Sequence, residues 1–447
     1  MPPIRLHDTR TGSVVELVPR DPGRVGIYAC GPTVYGRIHI GNARPFVVFS
    51  LLKRFLEHEG LAATLVVNVT DINDKIYDAA RAAGMPSADL AREMTAAYVA
   101  DTDGLGLGRP DHEPKATETL AEIIDLIAAL VERGHAYEAG GDVLFSVRSD
   151  PAYGDLSHRS VDDMDQGEGV EGADRKRDPL DFALWKAHKA DEDTAWDSPW
   201  GRGRPGWHIE CSAMAEKLLG VGFDIHGGGS DLVFPHHENE AAQTRAGRGG
   251  ELARIWMHNG MLQLGGEKMA KSVGNIAPLH EVLERWGRDA VLLAFCSAHY
   301  RQPMQFSDAV MEQATAGVAR IREAGRGVVA GDSPADMAPM RDAFFAALAD
   351  DFNTPQALAA LWEWIREANR RGSVGDAHLR EMLDVLALEN LLEADEGAPD
   401  EVVELARQRS AARAARDFAE ADRLRDEIAA AGWAVRDTAD GFELTPA

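Results

Sequence analysis

The sequence is poor in features that mark several common classes of protein. Its 447 residues include only three cysteines, which argues against a disulfide framework and suits a reducing cytoplasm. No apolar run reaches the ~18 residues that a membrane-spanning helix needs. The first residues, 1–5 (Met-Pro-Pro-Ile-Arg), lack the apolar stretch of a signal peptide. We therefore expect a globular, cytoplasmic protein with no membrane partner.

Positive charge is also scarce. The chain carries 47 lysines and arginines against 73 aspartates and glutamates, and its formal net charge at pH 7 is −26. An acidic total argues against nucleic-acid binding, because proteins that bind nucleic acids usually present a basic surface. A local exception is the arginine-rich stretch at residues 406–426. On composition alone, this stretch is also consistent with an ordinary solvated helix face.

The order of predicted strands and helices indicates an α/β fold. Residues 24–29 and 64–69 have the apolar composition of buried strands, and the segment between them has helical periodicity. Residues 143–147 and 220–226 also read as strands. This alternation predicts a Rossmann-like parallel sheet that binds ligands beyond the carboxyl ends of its strands.

The second half of the chain has a different pattern. From about residue 306 to near residue 431 the periodicity is helical, so we expect an all-helical C-terminal region. We predict three domains. They are a Rossmann-like domain at 1–305 with an inserted connective segment at about 115–200, a helical bundle at 306–397, and a small domain at 398–447.

Two short motifs lie far apart in the sequence. Residues 39–42 (His-Ile-Gly-Asn) follow the first predicted strand and open a helix. Free N–H groups and the helix dipole favour an anion such as a triphosphate there, and Gly41 lets a ligand approach the backbone. Residues 268–272 (Lys-Met-Ala-Lys-Ser) supply two cations that would stabilise charge on a leaving phosphate group. Taken alone, the first motif is equally consistent with an ordinary helix start.

Potential metal ligands form another pattern. Cys30 ends the first predicted strand and Cys211 lies far downstream. In a helix, His236 would share a face with Glu240 at i, i+4, and His237 could pair with it at i, i+3. Thiolate, imidazole and carboxylate groups suit zinc. The spacing does not choose between the two histidines, and two core cysteines with a capping histidine are an alternative interpretation.

Longer motifs resemble a known family. Residues 39–42 and 268–272 are similar to the HIGH and KMSKS signatures of class I aminoacyl-tRNA synthetases, with Ala270 in place of the first serine of KMSKS. Within that class, the resemblance to cysteinyl-tRNA synthetases extends over essentially the whole chain. The motifs that carry it are residues 30–35 (Cys-Gly-Pro-Thr-Val-Tyr), 71–75 (Asp-Ile-Asn-Asp-Lys), 206–214 (Gly-Trp-His-Ile-Glu-Cys-Ser-Ala-Met), 226–232 (His-Gly-Gly-Gly-Ser-Asp-Leu) and 234–240 (Phe-Pro-His-His-Glu-Asn-Glu).

The resemblance implies a ligase that activates L-cysteine with ATP and transfers it to the 3′ end of tRNA(Cys). One zinc ion per subunit would bind the substrate thiolate, because a soft thiolate is a far better zinc ligand than the hydroxyl of serine. The implied zinc ligands are Cys30, Cys211, His236 and Glu240. The implied cysteine pocket consists of Gly31, Thr33, Thr70 and Trp207.

The resemblance also implies ATP, Mg²⁺ and tRNA sites. The implied ATP-binding residues are His39, Gly41, Asn42, Asp231, Lys268 and Lys271. Four of these, His39, Asn42, Lys268 and Lys271, would be catalytic through positioning and charge stabilisation. The implied anticodon contacts are Arg413, Phe418 and Asp422, with Phe418 where relatives often carry tryptophan. Class I relatives of this type are commonly monomers, so we expect a monomer.

Two other functions fit parts of the pattern. One is a ligase that joins cysteine to an amino sugar in mycothiol synthesis, but such enzymes lack the anticodon-reading end, which residues 400–447 resemble. The other is a non-catalytic, zinc-dependent RNA-binding protein of the same fold. The presence of both signature motifs argues against it.

Overall fold

The computed structural model describes residues 3–164, 173–264, 267–268, 276–393, 399–438 and 441–446. The chain forms two compact units, residues 1–391 and 392–447. No described helix is both long and apolar enough to cross a membrane. The domain boundaries expected at residues 305 and 397 stay predictions.

The larger unit contains the following elements. Its strands are β1 (Arg5–Asp8), β2 (Ser13–Glu16), β3 (Arg24–Ala29), β4 (Ala62–Val67), β5 (Ala136–Ala139), β6 (Asp142–Phe145), β7 (Phe182–Ala187), β8 (Gly203–Pro205), β9 (Phe223–Gly229), β10 (Ala253–Asn259), β11 (Leu262–Leu264), β12 (Glu267–Lys268) and β13 (Met304–Phe306). Its helices are α1 (Ile40–His58), α2 (Asp74–Ala83), α3 (Ser87–Asp103), α4 (Leu120–Glu132), α5 (Trp207–Leu219), α6 (Glu238–Arg248), α7 (Leu279–Trp286), α8 (Arg288–Cys296), α9 (Asp308–Gly327), α10 (Ala338–Ala349), α11 (Thr354–Arg371) and α12 (Ala377–Val385). The smaller unit contains α13 (Asp400–Ala414), α14 (Phe418–Ala430), β14 (Trp433–Thr438) and β15 (Gly441–Pro446).

A parallel sheet with the strand order β10-β9-β3-β4 forms the centre of the larger unit. Ile27 of β3 lies opposite Leu65 of β4 and Ile225 of β9, and all three side chains are buried. Such apolar strands are typical of a parallel sheet that is covered on both faces. The predicted Rossmann-like sheet is confirmed, and the carboxyl ends of β3, β4 and β9 lie at one edge of it.

The strand predicted at residues 143–147 does not join this sheet. It is β6, which pairs antiparallel with β5 and β7 in a separate sheet of order β5-β6-β7-β8. The reason is local. Gly140 and Gly141, both at positive φ, connect β5 to β6 in a tight turn, and so short a connection permits only an antiparallel pair.

The C-terminal region is helical, as predicted, from α9 to the end of α14 at Ala430. The expectation that it is all-helical is wrong at its end, where β14 and β15 form an antiparallel hairpin. In this smaller unit, Trp433, Val435 and Leu444 of the hairpin pack with the helices around Ile428. The hairpin therefore completes a small core that two helices alone would leave exposed to water.

Candidate active site

The first turn of α1 forms one wall of a cavity. His39 caps the helix, since its Nδ1 accepts the N–H of Gly41 at 3.1 Å. In return, the side-chain oxygen of Asn42 accepts the N–H of His39 at 3.2 Å. A Cβ atom at position 41 would lie 2.9 Å from the His39 ring, so glycine is needed for this close approach. The sequence predicted this helix start, and the reciprocal cap fixes both polar side chains at its positive end.

The cavity lies between this helix start and the carboxyl ends of β3 and β9. Its volume is ≈ 700 Å³, within the range of small-molecule sites. Most residues predicted for the ATP and cysteine sites line it together. They are Gly31, Thr33, His39, Gly41, Asn42, Trp207 and Asp231, and the predicted metal ligand Cys30 lines the cavity beside them.

Of the second signature, the described residues include only Lys268, which lies on a strand next to one that lines the cavity. Lys268 lies in β12, opposite Gln263 of β11. Leu262, the first residue of β11, lines the cavity with His39. Lys271 and Ala270 lie outside the described residues, so the position of the second lysine stays a prediction.

The four residues predicted as metal ligands converge at one point. The Sγ of Cys30 lies 3.8 Å from the Sγ of Cys211, 3.6 Å from Nε2 of His236 and 3.7 Å from Oε1 of Glu240. His236 Nε2 and Glu240 Oε1 lie 3.0 Å apart. In a tetrahedron with zinc–sulfur bonds of about 2.3 Å, two sulfur ligands lie about 3.8 Å apart. The donor atoms therefore fit a tetrahedral ion that accepts two sulfurs, one nitrogen and one oxygen.

The fold explains why residues so distant in sequence meet. Cys30 directly follows β3, and Cys211 lies on the second turn of α5. His236 lies just after a kink at Phe234, in the segment 233–237 that leads into α6, and Glu240 lies on the first turn of α6. All four side chains are buried.

A second possible set of ligands shares Cys30 and Glu240 but uses His226 and His237. His237 Nε2 lies 3.3 Å from Cys30 Sγ but 3.9 Å from Glu240 Oε1. His226 approaches the other carboxylate oxygen, Oε2, at 2.8 Å. The set with both cysteines is the better site, because its contacts meet at a single carboxylate oxygen and include two soft sulfur donors.

Burial is the largest cause of the pKa shifts of two candidate ligands, Cys30 and His236. Desolvation raises the pKa of the Cys30 thiol and lowers the pKa of His236, so both groups favour their neutral forms. Neutral imidazole is the form that binds metal. A divalent cation would reverse the preference of the thiol, because metal binding replaces its proton.

Two further histidines, His208 and His226, contact the candidate ligands. His226 Nε2 approaches Glu240 at 2.8 Å, and Nδ1 of His208 lies 2.8 Å from Nδ1 of His236. Outer hydrogen bonds of this kind fix the orientation of metal ligands. The Trp207 ring stacks on His236, with centroids 4.2 Å apart and an interplanar angle of 17°. Trp207 therefore forms a wall directly above one candidate ligand.

The remaining residues of the predicted cysteine pocket are connected through Asn68. Its Oδ1 accepts the N–H of Gly31 at 2.9 Å, and its Nδ2 donates to Thr70 Oγ1 at 3.2 Å. Thr70 also bridges to Thr33 through the backbone. A Cβ at Gly31 would lie 1.7 Å from the Asn68 carbonyl oxygen, so no other residue fits there. Asn68 is not among the residues predicted for the site, because its only signal in the sequence is a polar side chain inside a predicted apolar strand.

The smaller unit places the predicted anticodon residues on its helices. Arg413 lies in the last turn of α13, Phe418 begins α14, and Asp422 lies one turn further. All three are exposed, and the Phe418 side chain is 62% exposed. An exposed ring of this size is suited to stacking on a base.

Several of the six arginines in the stretch at residues 406–426 are buried or paired with a carboxylate. Arg409 is buried, with 6% exposure. Arg423 pairs with Glu420 and Arg425 with Asp426, at 2.6 and 3.0 Å. The ion pairs and the burial of Arg409 lower the positive charge that the stretch presents to solvent. Fewer than its six arginines are therefore available to contact phosphate groups.

Three family models match successive segments of the chain. The model of the class I (C) tRNA synthetase catalytic domain matches residues 16–316, that of the DALR domain matches 343–392, and that of the cysteinyl-tRNA ligase anticodon binding domain matches 395–443. The cysteine–tRNA ligase of Rhodospirillum rubrum is 46% identical, and the alignment covers 98% of each chain. That of Parvibaculum lavamentivorans is 47% identical, covering 98% of this chain and 97% of its own.

Solved structures support the fold alone. Methionyl-tRNA synthetase of Mycobacterium tuberculosis, in complex with methionyl-adenylate, has a TM-score of 0.59 at 16% identity, covering 83% of this chain and 89% of its own. LeuRS of Agrobacterium radiobacter K84, in a ternary complex with tRNA and LeuAMS, has a TM-score of 0.60 at 12% identity, covering 84% of each chain. Together with the family models and the near full-length relatives, these likenesses agree with the predicted class I fold. The chain belongs to the cysteine–tRNA ligase family of class I aminoacyl-tRNA synthetases.

Proposed function

We propose that this chain activates L-cysteine with ATP and transfers the cysteinyl group to the 3′ end of tRNA(Cys), with a zinc ion selecting the substrate by its thiolate. The observation that carries this proposal is the buried cluster of two thiols, an imidazole and a carboxylate beside the cavity at the start of α1. The enzyme is proposed to act as a monomer in the cytoplasm.

Selectivity is the main problem that the site must solve. Serine has nearly the shape of cysteine, and a hydrophobic pocket separates near-isosteres by only about 1–3 kcal/mol. Zinc held by Cys30, Cys211, His236 and Glu240 would supply a Lewis acid that prefers a thiolate to a hydroxyl. The donor set and its distances fit such an ion. No editing site is then required.

The chain's own residues would accomplish adenylation by positioning and charge stabilisation. His39 and Asn42 bind phosphate oxygens at the N-terminus of α1, with Gly41 allowing close approach. Lys268 and Lys271 stabilise the charge that develops on pyrophosphate, with Mg²⁺ bound to ATP. The substrate carboxylate attacks the α-phosphate, so no protein nucleophile takes part.

The remaining predicted residues orient the substrates. Asp231 accepts hydrogen bonds from the ribose hydroxyls of ATP. Trp207, Thr33 and Thr70 enclose cysteine, while the N–H of Gly31 is held by Asn68. The smaller unit recognises tRNA(Cys) through Arg413, Phe418 and Asp422, which contact phosphate and the bases of the anticodon.

The test is cysteine-dependent ATP–pyrophosphate exchange, measured with cysteine and serine before and after chelation and zinc restoration. We expect exchange with cysteine alone, lost with the metal and restored by zinc. Exchange that survives complete metal removal with its selectivity intact would contradict the role of zinc. Absence of any exchange would instead support a non-catalytic RNA-binding protein.

A truncation after residue 397 separates the tRNA ligase from a ligase of cysteine to an amino sugar. Because adenylation requires only the larger unit in our proposal, the truncated chain should retain pyrophosphate exchange and lose tRNA charging. Full charging of tRNA(Cys) by the truncated chain would contradict the assigned role of the smaller unit.

A further inference from the structure

Arg44 is a buried cation in α1 that the proposed reaction does not use. Its side chain is 1% exposed, and burial lowers its pKa to about 10, so it stays charged at neutral pH. Nη1 donates to the carbonyl of Gly260 at 2.6 Å, and Nη2 donates to the carbonyl of His299 at 3.2 Å. One guanidinium therefore ties two loops, residues 259–262 and 299–302, to the helix that begins at the first signature.

The two loops are also packed backbone against backbone. The N–H of Gly260 donates to the carbonyl of Tyr300 at 2.7 Å. A Cβ on Gly260 would lie 2.4 Å from the carbonyl of Gln302, so the approach depends on glycine. Leu262 begins β11, and β11 pairs with the strand that contains Lys268. The position of these loops thus determines where the second signature starts relative to α1.

Asp351 holds the second loop from its other side. Its carboxylate is buried and accepts the Tyr300 hydroxyl at 2.7 Å and Nε of Arg301 at 2.8 Å. It also accepts the N–H of His7 at 2.8 Å. Asp351 has a φ of 62°, a conformation that is costly for a residue other than glycine. In this conformation, the turn between α10 and α11 directs the Asp351 carboxylate toward loop 299–302.

We propose that Arg44 and Asp351 are positioning residues for adenylation, which hold loop 299–302 between them and so fix the strand that carries Lys268, the first residue of the second signature, against the helix that carries His39. Neither residue lines the cavity. Their effect is on the geometry of groups that stabilise charge in the transition state, where a displacement of about 1 Å costs on the order of a hundredfold in rate. The inference rests on the proposed function, because it assumes that both signatures act on ATP.

The test compares R44K and D351N with matched controls in cysteine-dependent pyrophosphate exchange. R54K changes an arginine on the same helix that also donates to a backbone carbonyl, that of Asp384 at 2.8 Å. D376N changes a buried carboxylate that, like Asp351, accepts a backbone N–H and an arginine. We expect kcat to fall about tenfold or more in R44K and D351N, with KM for cysteine unchanged. The controls should keep the wild-type kcat.

Two further variants test whether the effect passes through the two loops. G260A forces the loops apart without removing a buried charge, and it should show the same fall in kcat with KM for cysteine unchanged. The double variant R44K/D351N should lose less activity than the product of the single losses, because both residues act through one loop. If R44K does not fold, D351N and G260A decide the question.

Three results would overturn the inference. They are lower melting temperatures with wild-type kcat, a rise in KM for cysteine that matches the fall in kcat, and losses no larger than those of R54K and D376N. Wild-type exchange separates this failure from that of the proposed function. If the wild-type chain catalyses exchange and the variants match it, only the positioning role fails.

Discussion

The candidate metal cluster and the exposed face of the C-terminal helices lie in opposite environments. The cluster is buried, and the Sγ of Cys30 lies within 3.8 Å of the other three donor atoms. The C-terminal residues lie on a solvated surface, where Phe418 is 62% exposed and neighbouring arginines pair with carboxylates. A dry site concentrates selectivity in a few contacts, whereas a wet surface spreads weak, salt-sensitive contacts over many groups.

The largest effect should come from breaking the buried cluster. C211S replaces a soft donor with a hydroxyl that does not deprotonate at neutral pH, so we expect loss of stoichiometric zinc. The kcat/KM for cysteine in pyrophosphate exchange should then fall by about 10³-fold or more. Metal analysis and exchange kinetics measure the two effects.

C296S is the matched control for this prediction. Cys296 is also a buried thiol, and burial raises its pKa to about 12, but it lies on α8 away from the cluster. Its replacement should change neither zinc content nor exchange. Equal zinc content in C211S and wild type would contradict the assigned ligand set.

The first signature should show the second-largest effect. N42A removes the side chain that accepts the N–H of His39, while N353A removes the side-chain cap of α11, whose oxygen accepts the N–H of Gln356. Both substitutions should cost about 1 kcal/mol of stability, because each deletes a helix-capping interaction. Only N42A should also lower kcat for pyrophosphate exchange, by about 10²-fold. Thermal melts and exchange rates measured on both variants separate capping from catalysis, and equal kcat values would contradict the role of Asn42.

Sequence reasoning succeeded where a motif has a local geometric meaning. A strand followed by residues 39–42 predicted a helix start, and i, i+4 spacing predicted that His236 and Glu240 share a face. It failed where long-range packing decides. The spacing alone did not choose between His236 and His237, since that choice depends on which ring approaches Oε1 of Glu240 in three dimensions.

The other omissions have the same physical origin. Asn68 is polar in an apolar strand, and only the fold shows that its amide joins Gly31 to Thr70. Residues 143–147 have the composition of a buried strand in either kind of sheet, so the glycine turn before them decided their pairing. The C-terminal hairpin is short and becomes stable only against α13 and α14.

On the exposed surface, single substitutions should have moderate and salt-dependent effects. R413A should raise KM for tRNA(Cys) about tenfold at low salt. It should also reduce the slope of log KM against log salt concentration by about one, the value expected for one lost phosphate contact. Pyrophosphate exchange should not change, because adenylation needs no tRNA in our proposal. R407A is the control on the same helix, since Arg407 is exposed and pairs with Glu404 at 3.7 Å. Equal effects of the two substitutions would indicate general charge attraction in place of a specific contact.

The smallest effect should be a gain. The exposed ring of Phe418 is the proposed stacking platform. Removing an aromatic ring from a base stack costs about 1–3 kcal/mol, so enlarging the ring should add a fraction of that. F418W should therefore lower KM for tRNA(Cys) about threefold, with no change in pyrophosphate exchange. F418L, which keeps apolar bulk without a ring, should raise KM. If F418L and F418W give the same KM for tRNA(Cys), apolar contact and not stacking accounts for the role of position 418. The exposed surface would then differ from the buried cluster in its exposure to water and would offer no directional contact at this position.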